Sequence, residues 1–288
     1  MASLAEPVIE VAPFATPLGA EIRGVDLSRL DDAGFAVIKK AWLDHKVLRL
    51  RGQRIDDDAL AAFSRRFGTL EMAPRTRTGQ PHEPTRPEVT VISNIVVDGK
   101  AIGGLGAGEA EWHTDMSYID VPPDASVLYG IEVPEGHGDT WFCDMEAALE
   151  ALPAALRTRL AGLSCKHDST RNSAGELRAG FKESYSPEEQ PGAVHPLVRT
   201  HPETGRKSLF LGRRRNAHIM GLPHEESQRL LDELWAHAVK PEFTWVQKWR
   251  QGDVLIWDNR CVMHRRDPFD SSLRRLMHRT QIQGTRPF

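Results

Sequence analysis

Cysteine is scarce in this chain of 288 residues. The three present, Cys143, Cys165 and Cys261, are odd in number and far apart. A disulfide framework or a cysteine-based zinc site needs paired thiols at short spacings, so neither is expected. Cys143 and Cys261 sit among Trp, Phe, Val and Met and read as small core residues. Long apolar runs are missing too; none approaches the roughly 18 residues of a membrane span. The opening MASLAEPVIEVAP has no basic head before an apolar core, so no signal peptide is expected and a reducing cytoplasm fits. Net charge is slight, at −3. That leaves no basic field for nucleic acid and no polybasic tail for a membrane surface. Internal repeats and low-complexity tails are lacking. What is there is an ordinary globular composition, 40% hydrophobic and 27% charged, at a length that suits one large domain or two small ones.

The pattern of elements is strand-rich. Short strands are expected at 8–11, 20–22, 47–50, 88–92, 127–133, 139–144, 197–199, 208–211, 243–249, 253–257 and 276–282, each alternating or apolar between turn residues. Asp31 is placed to cap a helix running to about Val47. Asp57 to Phe67 forms a second amphipathic helix, stopped by Gly68. Further helices cover 146–163, broken at Pro153, and 225–239. Residues 71–87, with four prolines, and 98–109, rich in glycine, read as loops. Residues 164–193 read as a polar insert. Gly103 to Gly108 fits neither the dinucleotide fingerprint nor the P-loop spacing. Strands without regular βα alternation suggest an antiparallel sandwich or barrel with helices packed outside.

The chemistry concentrates in Glu111-Trp112-His113-Thr114-Asp115-Met116. On an extended strand His113 and Asp115 point to one face. Alone, His-x-Asp is a chance spacing in a chain with twelve histidines. A third ligand is offered by His264, which follows the strand and polar turn of Asp253 to Met263. Close behind come Arg275 and Arg279, on one face of a strand with Met277 between them and His278 on the other. Two arginines in an apolar strand are costly unless they meet anions; the bland alternative is an exposed edge with solvated charges. His113, Asp115 and His264 would make a triad of two imidazoles and one carboxylate, which suits non-haem Fe(II) with positions left open. Zinc accepts the same set. The paired arginines favour small anionic ligands beside the metal.

These segments resemble the Fe(II)- and 2-oxoglutarate-dependent dioxygenases of the taurine dioxygenase and chlorophenoxyacetate dioxygenase type. The resemblance runs from Pro17 to Leu27 through Phe67-Gly68, Trp112 to Asp115, Gly138-Asp139-Thr140, His201 to Arg206 and Trp257 to Arg260, ending at Arg275 to Arg279. Covering nearly the whole chain, it implies one domain over residues 1–288 and a fold that is mainly β with α, a double-stranded β-helix (jelly-roll) core with flanking helices and loop insertions. It implies that His113, Asp115 and His264 ligate iron and that Thr140 and Arg275 hold the distal carboxylate of 2-oxoglutarate. Arg279 would bind an anionic group of the primary substrate. Met116, just past Asp115, is a candidate pocket residue, with core packing as the alternative. The implied reaction uses O2 to hydroxylate a small organic anion, a sulfonate or carboxylate, with succinate and CO2 as coproducts. The histidine with which the taurine enzyme helps bind sulfonate falls at Ala73, so taurine is disfavoured, and Thr140 to Met145 and Leu209 to Gly212 lean to the chlorophenoxyacetate side. A dimer or tetramer is implied by resemblance, with Arg213 to Arg215 read as a solvated or subunit-contact run. Trp112 and Trp257 are expected as walls of the site, and Asp258 and Asn259 as the residues fixing the turn before His264. The competing readings are a zinc-dependent hydrolase and an anion-binding barrel without catalysis.

Overall fold

The computed structural model describes residues 9–16, 18–73, 85–108, 110–182, 185–186 and 189–288. Most of the proline-rich loop expected at 71–87 lies outside them. Twelve strands build two sheets. In chain order they are β1 (Glu10–Pro13), β2 (Ala20–Arg23), β3 (Val47–Leu50), β4 (Thr90–Ser93), β5 (Gly104–Leu105), β6 (Ala110–His113), β7 (Ala125–Glu132), β8 (Thr140–Asp144), β9 (Thr244–Gln247), β10 (Val254–Asp258), β11 (Val262–Arg266) and β12 (Leu276–Ile282). The larger sheet has the order β1-β2-β3-β10-β7-β12-β4-β5 and the smaller β9-β8-β11-β6. Pairing is antiparallel except at β2–β3 and β4–β5.

Alternation along the strands explains how the sheets stack. Ile92, Leu128, Leu255, Trp257 and Met277 of the large sheet meet Phe142, Trp245 and Val262 of the small one in a shared core. The opposite face of the large sheet, with Val127, Val254, Ile256 and Ile282, packs on the helices Asp32–His45 and Asp57–Arg65 through Ile38, Trp42, Leu60 and Phe63. The opposite face of the small sheet, with Cys143 and Met263, packs on the helices Met145–Glu150 and His224–Ala238. The fold is the expected double-stranded β-helix with helices outside. All three cysteines are buried and free.

Boundaries moved where local chemistry decides. The first helix ends at His45 because Lys46 turns into the left-handed region, φ 67°, with its N–H on the Trp42 carbonyl. The second helix starts at Asp57 as expected, capped by Asp56, and ends at Arg65, two residues short of Phe67. The glycine-rich loop is not bare: β5 pairs with β4, and a Cβ on Gly103 would stand 2.7 Å from the Val91 carbonyl oxygen. The polar insert starts with a short strand, Ser164–Lys166, paired to Val194–Pro196 and His218–Ile219. Sequence patterning missed β6 and β11, the two strands that carry the histidines.

Candidate active site

β11 pairs with β6 so that His264 stands opposite His113, and their rings lie 4.2 Å apart, centre to centre. The Glu111 carbonyl accepts from His113 Nδ1 at 2.7 Å, which leaves Nε2 as the free donor atom. Asp115 Oδ1 is 3.5 Å from His113 Nε2 and 3.9 Å from His264 Nε2. All three residues are buried, and one ligand atom from each falls within 4.8 Å of the others.

The convergence of His113 and Asp115 does not come from a strand pleat. β6 stops at His113, and a turn carries Asp115 inward. The Gly212 carbonyl accepts the Thr114 N–H at 3.0 Å. Asn259 accepts the Asp115 N–H at 2.9 Å and donates to the Asp115 carbonyl at 3.0 Å and to that of Pro123 at 2.8 Å. Gly212 must be glycine: φ is 66°, and a Cβ there would meet the His167 ring at 2.0 Å. Met116 takes the left-handed φ of 50° that ends the turn; it is half-buried and not part of the cavity lining described below.

Ser126 and Gln281 donate to Asp115 Oδ2 at 2.8 and 3.2 Å, and Arg279 Nη1 lies 3.3 Å from both carboxylate oxygens. Burial works to raise the Asp115 carboxyl, but Arg279, His264 and His113 hold it well below the usual carboxylate range. Burial, then His113, pulls His264 well below the ordinary imidazole value. An ionised carboxylate beside a neutral imidazole is the protonation state that a divalent metal requires of its ligands. The donor set therefore fits a first-row metal.

Around the triad lies a cavity of about 50 Å³ lined by Thr140, Trp257, Arg266, Arg275 and Arg279 with the two histidines. Trp249 donates to Thr140 Oγ1 at 2.9 Å. Arg275 is 2% exposed, its Nε has no partner, and no acidic side chain among the described residues pairs with it. Burial, with Arg266 nearby, pulls its guanidinium down to about 9, still charged at neutral pH. A larger cleft of about 640 Å³, lined by Lys46, Glu146, Arg157 and Arg206, contains no triad residue. The ligand atoms and the unpaired charges lie at the small cavity.

The expected site residues thus come together, Met116 excepted, and several other readings change. Trp257 walls the site, its ring 4.8 Å from that of His264. Trp112 faces the other way, packing on the cluster around Cys143 and Met263 with Arg265 5.6 Å over its ring. The Arg213–Arg215 run is not uniformly solvated. Arg214 pairs with Asp232, but Arg213 lies within electrostatic reach of Asp115, its charged form disfavoured by burial and Arg178. Sequence reasoning missed Ser126, Gln281 and Arg266. Two of them were within its reach, since Gln281 and Arg266 stand two residues beyond Arg279 and His264 and share their faces. A second buried group, His201, Asp258 and Cys261, also brings ligand atoms together. Asp258 is spoken for there, accepting from His201 at 2.9 Å and from Arg260 at 2.7 and 2.8 Å, and burial pushes the Cys261 thiol well up.

The family described as "Taurine catabolism dioxygenase TauD, TfdA family" matches residues 10–281. An (S)-phenoxypropionate/alpha-ketoglutarate dioxygenase of Sphingobium herbicidovorans is 34% identical, covering 96% of each chain. An alpha-ketoglutarate-dependent 2,4-dichlorophenoxyacetate dioxygenase of Cupriavidus pinatubonensis is 36% identical over 93% of this chain and 95% of its own. The crystal structure of AAD-2 in complex with Mn(II) and N-oxalylglycine superposes with a TM-score of 0.78 at 31% identity, covering 97% of this chain and 99% of that one. These relatives favour a dioxygenase over a zinc hydrolase or a non-catalytic barrel. Similarity of this extent, carried through both sheets and the turn that delivers Asp115, makes the chain a member of the TauD, TfdA family of 2-oxoglutarate-dependent dioxygenases, which work with Fe(II) and O2.

Proposed function

We propose that this dioxygenase oxidises a small aryloxyalkanoate-like carboxylic acid, with His113, Asp115 and His264 holding Fe(II). The observation that carries the reading is the juxtaposition of this triad with buried guanidiniums that lack carboxylate partners. When bound, the metal supplies activation of O2 at the expense of 2-oxoglutarate, which leaves as succinate and CO2. Arg275 binds the distal carboxylate of 2-oxoglutarate through its planar fork. Thr140 assists: Trp249 occupies its oxygen, so its hydroxyl hydrogen is free to donate into the cavity. Arg279 receives the carboxylate of the primary substrate. Ser126, Gln281 and Asn259 fix the Asp115 carboxylate and backbone, so the ligand set is preorganised. Hydroxylation of a carbon that bears an ether oxygen gives a hemiketal or hemiacetal; its O–H proton passes to the leaving aryloxide as a carbonyl forms, releasing the phenol.

Aryl ethers are favoured over taurine because two relatives are named for phenoxyalkanoates and because Ala73 stands where the taurine enzyme has its histidine. The chain acts as one catalytic domain, a cytoplasmic homodimer or homotetramer by analogy with its family; no helix among the described residues is long and apolar enough to cross a membrane.

Succinate release from purified protein with Fe(II), O2, 2-oxoglutarate and a panel of phenoxyalkanoates, alkyl sulfates and sulfonates tests the reading. Turnover is expected with the phenoxyalkanoates. None with any compound, and no binding of 2-oxoglutarate, would sink it. Asp115→Ala abolishes turnover and metal retention. Arg279→Ala raises the KM of the organic acid by about tenfold or more while 2-oxoglutarate binding stays within about twofold; equal loss of both refutes the division of roles.

A further inference from the structure

β11 has two neighbouring positions that face the sandwich interior. His264 occupies one and Arg266 the other. Arg266 stands opposite Thr140 in the β8–β11 register, lines the cavity shared by His264, Thr140 and Arg275, and is 7% exposed. Its Nε has no partner, and no acidic side chain among the described residues pairs with it. Its remaining bonds go to main-chain carbonyls of the glycine-rich segment: Nη2 donates to Leu105 at 3.0 Å and to Gly108. The guanidiniums of Arg266 and Arg275 flank one ring, 5.5 and 5.9 Å from the centre of Phe269. Two buried cations set against one aromatic ring, with no carboxylate between them, repel each other. Tying a loop by its carbonyls needs only a neutral donor, so the second charge has no structural purpose there.

We propose that Arg266 is a cosubstrate-binding residue, receiving the distal carboxylate of 2-oxoglutarate together with Arg275 and Thr140 while holding the segment Leu105–Gly108 against the occupied site. This rests on the assignment of that carboxylate to Thr140 and Arg275. A carboxylate has about four acceptor positions, enough for two guanidiniums and one hydroxyl. Its negative charge between the two arginines turns their repulsion into two attractions, and the N–H groups of Arg266 not used on Leu105 and Gly108 remain available to it. The glycine-rich segment would then be most firmly held when the cosubstrate is present.

The test is calorimetric titration of the Mn(II)-loaded protein with 2-oxoglutarate and, separately, with 2-oxopentanoate, which has the same carbon chain and no distal carboxylate. Arg266→Met is expected to weaken 2-oxoglutarate by about tenfold or more and to leave 2-oxopentanoate unchanged. Arg266→Gln, which keeps a donor for the carbonyls but no charge, should show the same selective loss, and Arg266→Lys should recover part of it. Unchanged 2-oxoglutarate affinity in the Met and Gln variants overturns the proposal, and so does an equal weakening of both acids, which would mark a purely structural residue. If the unaltered protein itself fails to prefer 2-oxoglutarate over 2-oxopentanoate, the assignment of Thr140 and Arg275 fails instead.

Discussion

Two clusters of buried charge follow each other along the chain, one around Asp258 and Arg260, the other around His264 and Arg266, and they are built in opposite ways. In the first, every charge is matched. Arg260 meets Asp258 through two nitrogens, Glu203 at 2.7 Å and Asp124 at 3.6 Å, while His201 completes Asp258. Burial opposes ionisation of Asp258, but Arg260 and His201 hold its carboxyl far below the usual range, and Asp258 raises Arg260 in turn. In the second, Asp115 is the one carboxylate among the described residues lining the triad, Arg279 leans on it, and Arg266 and Arg275 have none. A matched buried cluster is a brace. An unmatched one costs stability and implies that its counter-charges arrive from outside. The brace borders the site: Asn259, between Asp258 and Arg260, fixes the backbone of Asp115.

The largest effect should come from breaking the brace. Arg260→Met leaves Asp258 buried beside a neutral side chain, at a cost of about 3–5 kcal/mol in denaturant unfolding. A loss under about 1 kcal/mol would mean that the matched cluster is no brace. His167 sharpens the contrast from another side. It is buried, both ring nitrogens lack partners, and its ring stacks on Phe210 at 5.4 Å. An imidazole can shed its charge where a guanidinium cannot: burial, helped by His195 and Arg213, pulls His167 from 6.5 to about 3. Because the unfolded chain takes up this proton first, the stability tied to the neutral ring is intact above pH 6.5 and is lost progressively as pH falls toward 3. His167→Phe should therefore lose about 2–3 kcal/mol less than the unaltered protein between about pH 7.5 and about pH 4.5. Equal acid sensitivity would show that the imidazole is not held neutral.

Much of this was legible in the residues. Period-two alternation located β12 to the residue and placed Arg275 and Arg279 on one side, with His278 opposite, where it meets Asp57 at 2.6 Å. Asp31 signalled a helix start by its cap. What escaped has physical reasons. β11 reads Val-Met-His-Arg-Arg: after Val262, which joins the shared core, its inward positions His264 and Arg266 face a site, so its apolar signal is cut short. The turn that delivers Asp115 depends on Gly212 and Asn259, about a hundred residues and more away in sequence, and no local pattern announces such partners. Arg213 looked like the start of a solvated run because it stands beside Arg214 and Arg215; its guanidinium lies 5.6 Å from the centre of the Tyr118 ring, which Arg178 also covers at 3.9 Å, contacts that no local pattern announces.

The site thus holds more buried positive charge than the protein itself neutralises. Thermal unfolding of Arg275→Met, an apolar replacement of similar length, with and without Mn(II) and 2-oxoglutarate, puts that excess charge to the test. Without ligands the variant is expected to be more stable than the unaltered protein by about 1 kcal/mol, since an unpaired buried charge has been removed, and to gain little from 2-oxoglutarate. A ligand-free variant destabilised as strongly as Arg260→Met, and still stabilised by 2-oxoglutarate, would contradict it.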